Sequence, residues 1–139
     1  MNYFTQLRVK SLFEQMGAIK RGFPDFNVRV ESNKLIINGQ IKPTARSVSY
    51  TVQIEYQCKN VPRVKVLNPK LVKNFNNEEI PHIFPGKILC LYMAKYREFQ
   101  FSDFISQTII PWTSLWLYHY EVWHTSGSWL GGGEHPSKK

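Results

Sequence analysis

Long apolar runs, cysteines and acidic residues are all scarce in this chain. No apolar stretch in the 139 residues reaches membrane-spanning length. The opening Met1-Asn2-Tyr3-Phe4-Thr5-Gln6-Leu7-Arg8 holds no apolar signal core, so the expected setting is the reducing cytoplasm, with free thiols. There are two cysteines, Cys58 and Cys90, and a chain of this length buries about two thirds of its unfolded surface without disulfides or a structural metal. Cys58, His82, Cys90 and His124 are dispersed and lack the closely spaced pairs of a zinc site, so no metal is expected. Internal repeats and ATP-binding glycine motifs are also missing, and no cofactor is expected. Ten acidic residues face eighteen Lys and Arg, and the resulting +8 favours an acidic partner: nucleic acid, an anionic cofactor or another protein.

Aromatic residues, by contrast, are plentiful. Four Trp, seven Tyr and nine Phe, with 42% apolar residues, exclude a disordered chain. The length suits one domain, read as residues 1–127, followed by a flexible glycine-rich tail over 128–139. The spacing of Val9, Leu12, Phe13 and Met16 predicts an amphipathic helix over about 2–16, stopped by Gly17. Lys10, Lys20 and Arg21 then read as a solvated face. Alternation predicts a strand through Phe26, Val28 and Val30, a turn at Ser32-Asn33, a second strand over 34–41, a third over 47–57 and a fourth over 63–67. One apolar and one polar face in the third strand indicate an antiparallel meander. Residues 68–89 lose periodicity and form a long loop, with apolar side chains that pack it onto the body. Ser102-Asp103 would cap a short helix through Thr108. Pro111 opens a second helix carrying Trp112, Leu115, Trp116, His119, Tyr120 and Trp123 on one stripe and ending near Gly127.

Each candidate for chemistry has a plainer alternative. Taken alone, Cys90 in Ile88-Leu89-Cys90-Leu91 reads first as a small buried hydrophobe and second as a nucleophile. Cys58 ends a strand beside Lys59-Asn60 with no histidine near it in sequence. A papain-like hydrolase needs a histidine and an orienting group, yet His119 and His124 ride the aromatic helix and no protease signature surrounds Cys90. Lys59, Arg63, Lys65, Lys70 and Lys73 fall in an acid-free stretch, which admits nucleic acid or an acidic protein surface. No nucleic-acid motif accompanies them.

Taken together, these parts resemble the ubiquitin-conjugating enzyme family. Asn60-Val61-Pro62-Arg63-Val64-Lys65-Val66 is similar to its proline-led segment between the third and fourth strands. Pro81-His82-Ile83-Phe84-Pro85-Gly86-Lys87-Ile88-Leu89-Cys90-Leu91 resembles the family's histidine-proline-asparagine loop leading to the active cysteine. Thr108-Ile109-Ile110-Pro111-Trp112, Tyr120-Glu121-Val122-Trp123 and Gly127-Ser128-Trp129-Leu130-Gly131-Gly132-Gly133-Glu134-His135-Pro136 are similar to the C-terminal half of standalone bacterial versions found in CBASS antiphage operons beside a cGAS-like nucleotidyltransferase.

The resemblance implies an α+β ubiquitin-conjugating fold: N-terminal helix, four-stranded meander, long active-site loop and C-terminal helices on the sheet. It implies Cys90 as acyl-accepting nucleophile, a protein C-terminus as donor, the nucleotidyltransferase's own tail foremost, and a lysine-bearing acceptor protein, with no membrane. The alternative is a noncatalytic module of the same fold that binds protein or nucleic acid, with nucleic acid the lesser of these. The sequence departs from the family where His82 is followed by Ile83 and Phe84 instead of proline and asparagine. The asparagine role is then absent or taken by Asn74, Asn76 or Asn77, of which Asn77 is the candidate, and His82 becomes a loop-supporting group. The run Gly131-Gly132-Gly133 invites comparison with modifier termini, but further residues follow it and a flexible tail explains it with less.

Overall fold

In a computed structural model of the protein, residues 8–91 and 99–130 are described. The expected residues 2–7 of the first helix and the tail from 131 lie outside them. The described elements are α1 (Leu12–Gly22), β1 (Asn27–Glu31), β2 (Lys34–Ile41), β3 (Tyr50–Gln57), β4 (Arg63–Asn68), β5 (Ile83–Phe84), β6 (Ile88–Leu89), a 3-10 turn (Ile105–Gln107) and α2 (Ile109–Ser126). The class is α+β, as the sequence indicated.

Helix α1 starts later than its apolar spacing suggests because Ser11 and Glu14 form a reciprocal capping box. Glu14 N donates to Ser11 Oγ at 3.1 Å, and Ser11 N donates to Glu14 Oε1 at 2.9 Å. Gly17 does not end the helix. Glycine weakens a helix interior by about 1 kcal/mol, whereas Ile19, fully buried two residues on, ties this part of the helix to the core. Phe13, placed on the apolar stripe from sequence, is 80% exposed, and the inward positions are Leu12, Gln15, Met16 and Ile19. Lys10 also does more than face solvent, since its Nζ lies 4.9 Å from the centre of the Phe104 ring.

The four strands form an antiparallel sheet in the order β1-β2-β3-β4. Ser32 and Asn33 both adopt positive φ, 51° and 64°, as a two-residue hairpin turn requires. Register pairs Leu35 with Tyr56, Ile37 with Ile54 and Ile41 with Tyr50, so these residues line one inner face with Val52 and Val64. Strand β3 begins at Tyr50 instead of residue 47, because Thr44 and Ser47 close a turn and Val48 is left outside, 56% exposed.

Helix α2 covers that inner face with Ile109, Ile110, Thr113, Trp116, Leu117, Tyr120 and Trp123 buried. It ends where Gly127 turns left-handed at φ 82° and donates its N–H to Trp123 O. Glu121 fastens it to the sheet margin by accepting from Ser47 Oγ at 2.7 Å and Tyr50 OH at 2.8 Å. The short helix expected through Thr108 is instead a single 3-10 turn with no side-chain cap. Asp103 Oδ2 accepts from Gln100 N at 2.7 Å, closing the preceding turn.

Candidate functional site

The segment expected as an irregular loop contains a small hairpin. Ile83 pairs with Leu89 and Phe84 with Ile88, around a turn at Pro85, Gly86 and Lys87 in which the last two have positive φ. Each strand has two residues, too few for alternation to register. Cys90 follows directly, 3% exposed between the buried Leu89 and Leu91.

His82 joins this hairpin to α2. Its carbonyl accepts Cys90 N at 3.0 Å and the indole Nε1 of Trp116 at 3.0 Å. The His82 ring, itself buried, lies 5.0 Å from the Trp129 ring, which meets Trp116 edge-on at 5.2 Å. His119 completes the cluster at 5.9 Å from Trp129, and burial pushes its pKa down, favouring the neutral ring. The backbone at Cys90 is thus held by an aromatic cluster assembled from three separate stretches of chain.

Two hollows share Phe84 and Pro85 of the hairpin. One, of about 380 Å³, is apolar, lined by Pro62, Leu89, Leu91, Ile109 and Trp112, with Arg63 at its edge. The other, of about 710 Å³, is lined by Lys70, Lys73, Lys87 and Asn77. Cys90 itself lines neither hollow, while its neighbours Leu89 and Leu91 line the apolar one.

The sequence profile of the type II CBASS E2 protein matches residues 15–136. The chain belongs to that family. No curated protein matches it. In this CBASS E2 protein the match takes in α1 from Gln15 onward, the sheet, the hairpin, Cys90 and α2.

The sequence-derived candidates of the E2 protein fall in different places. His82 and Cys90 meet through the backbone bond just described. Asn74 is buried and occupied with its own loop: Oδ1 accepts from Asn76 N and Glu78 N, each at 3.0 Å, and Nδ2 donates to Glu78 Oε1 at 2.7 Å. Asn77 adopts φ 60°, which asparagine tolerates better than most residues, and faces the lysine-lined hollow. Cys58 sits beyond the end of β3, away from the hairpin in sequence, and lies close enough to Tyr56 to add to the upward shift that burial gives that phenol. In sequence Trp116 belongs to the helix stripe and Trp129 to the tryptophan-rich end that carries the resemblance, and neither stands out there as a support for the hairpin. The available signal was a glycine stop at Gly127 with a tryptophan two residues on.

No helix among the described residues is long and apolar enough to cross a membrane.

Proposed function

We propose that this CBASS E2 protein is a ubiquitin-conjugating-like cysteine acyltransferase, with the ubiquitin-conjugating fold and Cys90 as its nucleophile, acting in antiphage defence in the cytoplasm. The observation that carries the reading is Cys90 itself, pinned through the His82 carbonyl to Trp116 inside the family-matched span. The Cys90 thiolate attacks an activated acyl carbon at a protein C-terminus; a C–S bond forms and the activating group departs with its electron pair. A neutral lysine amine then attacks the thioester, the C–N bond forms, the C–S bond breaks, the amine releases its proton to solvent or a base, and Cys90 leaves as thiolate. The donor proposed is the C-terminal tail of the cGAS-like nucleotidyltransferase encoded alongside, and the acceptor a lysine-bearing protein. Asn77 or loop amides supply donors to the tetrahedral oxyanion, and His82 holds the loop.

The test is intact mass after co-expression with the operon partner. Expected is an adduct on Cys90 that hydroxylamine or excess thiol removes, that converts to a hydroxylamine-resistant ester in Cys90→Ser, and that vanishes in Cys90→Ala. Adducts that persist in Cys90→Ala show that another residue is the nucleophile. If Asn77 is the oxyanion donor, Asn77→Gly, which keeps the positive φ, slows transfer on the order of a hundredfold.

One observation favours the noncatalytic reading: Cys90 is only 3% exposed. Acyl transfer then requires local opening around the sulfur. A Cys90 that resists alkylation in the native protein, yet reacts in urea, would support a binding module.

A further inference from the structure

The larger hollow beside the hairpin is positively charged. Lys70, Lys73 and Lys87 line it, and the single acid among its described lining residues, Glu79, already pairs with Lys73 at 3.2 Å. Among the described residues no carboxylate forms an ion pair with Lys70 or Lys87. Its apolar lining includes Leu71, 7% exposed, and Ile83 of β5. Lys87 also occupies φ 63°, a left-handed conformation that glycine adopts more freely than a Cβ-bearing residue. A lysine there places its charge at the hairpin turn three residues before Cys90.

We propose that this groove docks an acidic segment of the acceptor protein, a peptide whose nucleophilic lysine is flanked by aspartates and glutamates. Carboxylates meet Lys70 and Lys87, and an apolar side chain rests on Leu71 and Ile83. The proposal deepens the acyltransferase reading and rests on it for its meaning. The physical reason is charge. A bare lysine approaching a protein of net +8 is repelled, and acidic neighbours reverse the sign of the approaching segment. A nucleic-acid strand fits less well, since Phe84 is the one aromatic ring among the groove's described lining residues, and the apolar Leu71 and Ile83 suit an aliphatic side chain better than a phosphate backbone.

The test uses Cys90→Ala protein, so that binding is read without chemistry. The probe is a short fluorescein-labelled peptide carrying one lysine among glutamates and a leucine, followed by anisotropy. Expected is binding at about 0.05 M salt that is lost at about 1 M, where screening acts within roughly 3 Å. Lys70→Glu with Lys87→Glu should weaken it by about tenfold or more, as two exposed charge pairs would. Lys20→Glu with Arg21→Glu on α1 changes net charge equally and should leave affinity within about twofold. If the reversed pair fails a thermal-melt check of folding, Lys70→Gln with Lys87→Gln replaces it, with about threefold weakening expected. Equal weakening by the α1 pair, equal binding of a peptide with glutamines for glutamates, or tighter binding of a single-stranded oligonucleotide lost with the same substitutions would each overturn the proposal. Failure of the acyltransferase reading registers separately, as adducts that survive Cys90→Ala.

Discussion

Gln15 illustrates how a single side chain can serve two distant parts of the chain. It is fully buried; its Nε2 donates to Asp103 O at 2.8 Å and its Oε1 accepts from Ile105 N at 2.9 Å. Gln15→Leu removes both bonds, and a buried backbone group that loses its partner costs about 1–3 kcal/mol, less at the half-buried Asp103. Urea denaturation should therefore show a loss of about 2–4 kcal/mol, and an unchanged midpoint would mean that water reaches both groups. Gly39 is constrained differently. A Cβ there would overlap the Phe26 ring, which lies over it. Gly39→Ala should destabilise the protein by about 1–3 kcal/mol on the same measurement, reduced to the extent that the half-buried Phe26 swings outward. Neither residue type announces such a role in sequence, because the partners of Gln15 lie 88 and 90 positions away.

Among the elements, the start of α1 has a defined pH dependence. The Arg8 guanidinium, bonded to Glu14 at 2.7 and 3.0 Å, together with the Ser11 N–H, holds the Glu14 carboxyl down at about 2 instead of 4.5. A carboxyl depressed in the folded state contributes stability that is present above its unfolded value, near 4.5, and lost as pH falls through 2. Thermal midpoints of the native protein and Glu14→Gln should thus differ at pH 6 and converge toward pH 2. Parallel curves would remove the ion pair from the account. The hairpin has its own dependence, on Trp129, which packs against His82 and Trp116. Trp129→Ala should raise the native alkylation rate of Cys90 by about tenfold, equivalent to roughly 1.4 kcal/mol less opening energy, with Trp129→Phe partly restoring protection. A rate that moves only in step with global stability would make Trp129 ordinary packing.

At the scale of the whole molecule, one buried cluster runs through Ile19 of α1, the sheet face, Leu89 and Leu91 beside the hairpin, and Trp116 of α2. A shared core of this kind predicts one cooperative transition, with tryptophan fluorescence and far-ultraviolet dichroism changing together. All four tryptophans lie between positions 112 and 129, so a split between the probes would separate α2 from the sheet. Local order was legible wherever it depends on a few neighbouring residues. Strand β2 has the bounds expected of it, Lys34–Ile41, the Ser32-Asn33 turn followed from turn chemistry, and Pro111 and Gly127 bracketed α2. The family was legible too, because the cysteine loop and the tryptophan-rich end are contiguous text. The start of α1 was missed where the Ser11–Glu14 cap outweighed apolar spacing, and the hairpin was missed because two-residue strands carry no period. The sequence by itself determined the class and the meander. Only the tertiary structure decided that His82 serves through its carbonyl and that Trp129 and the lysine groove flank the hairpin. Those relations join residues up to tens of positions apart, and proximity of that kind is created by packing, which no local pattern encodes.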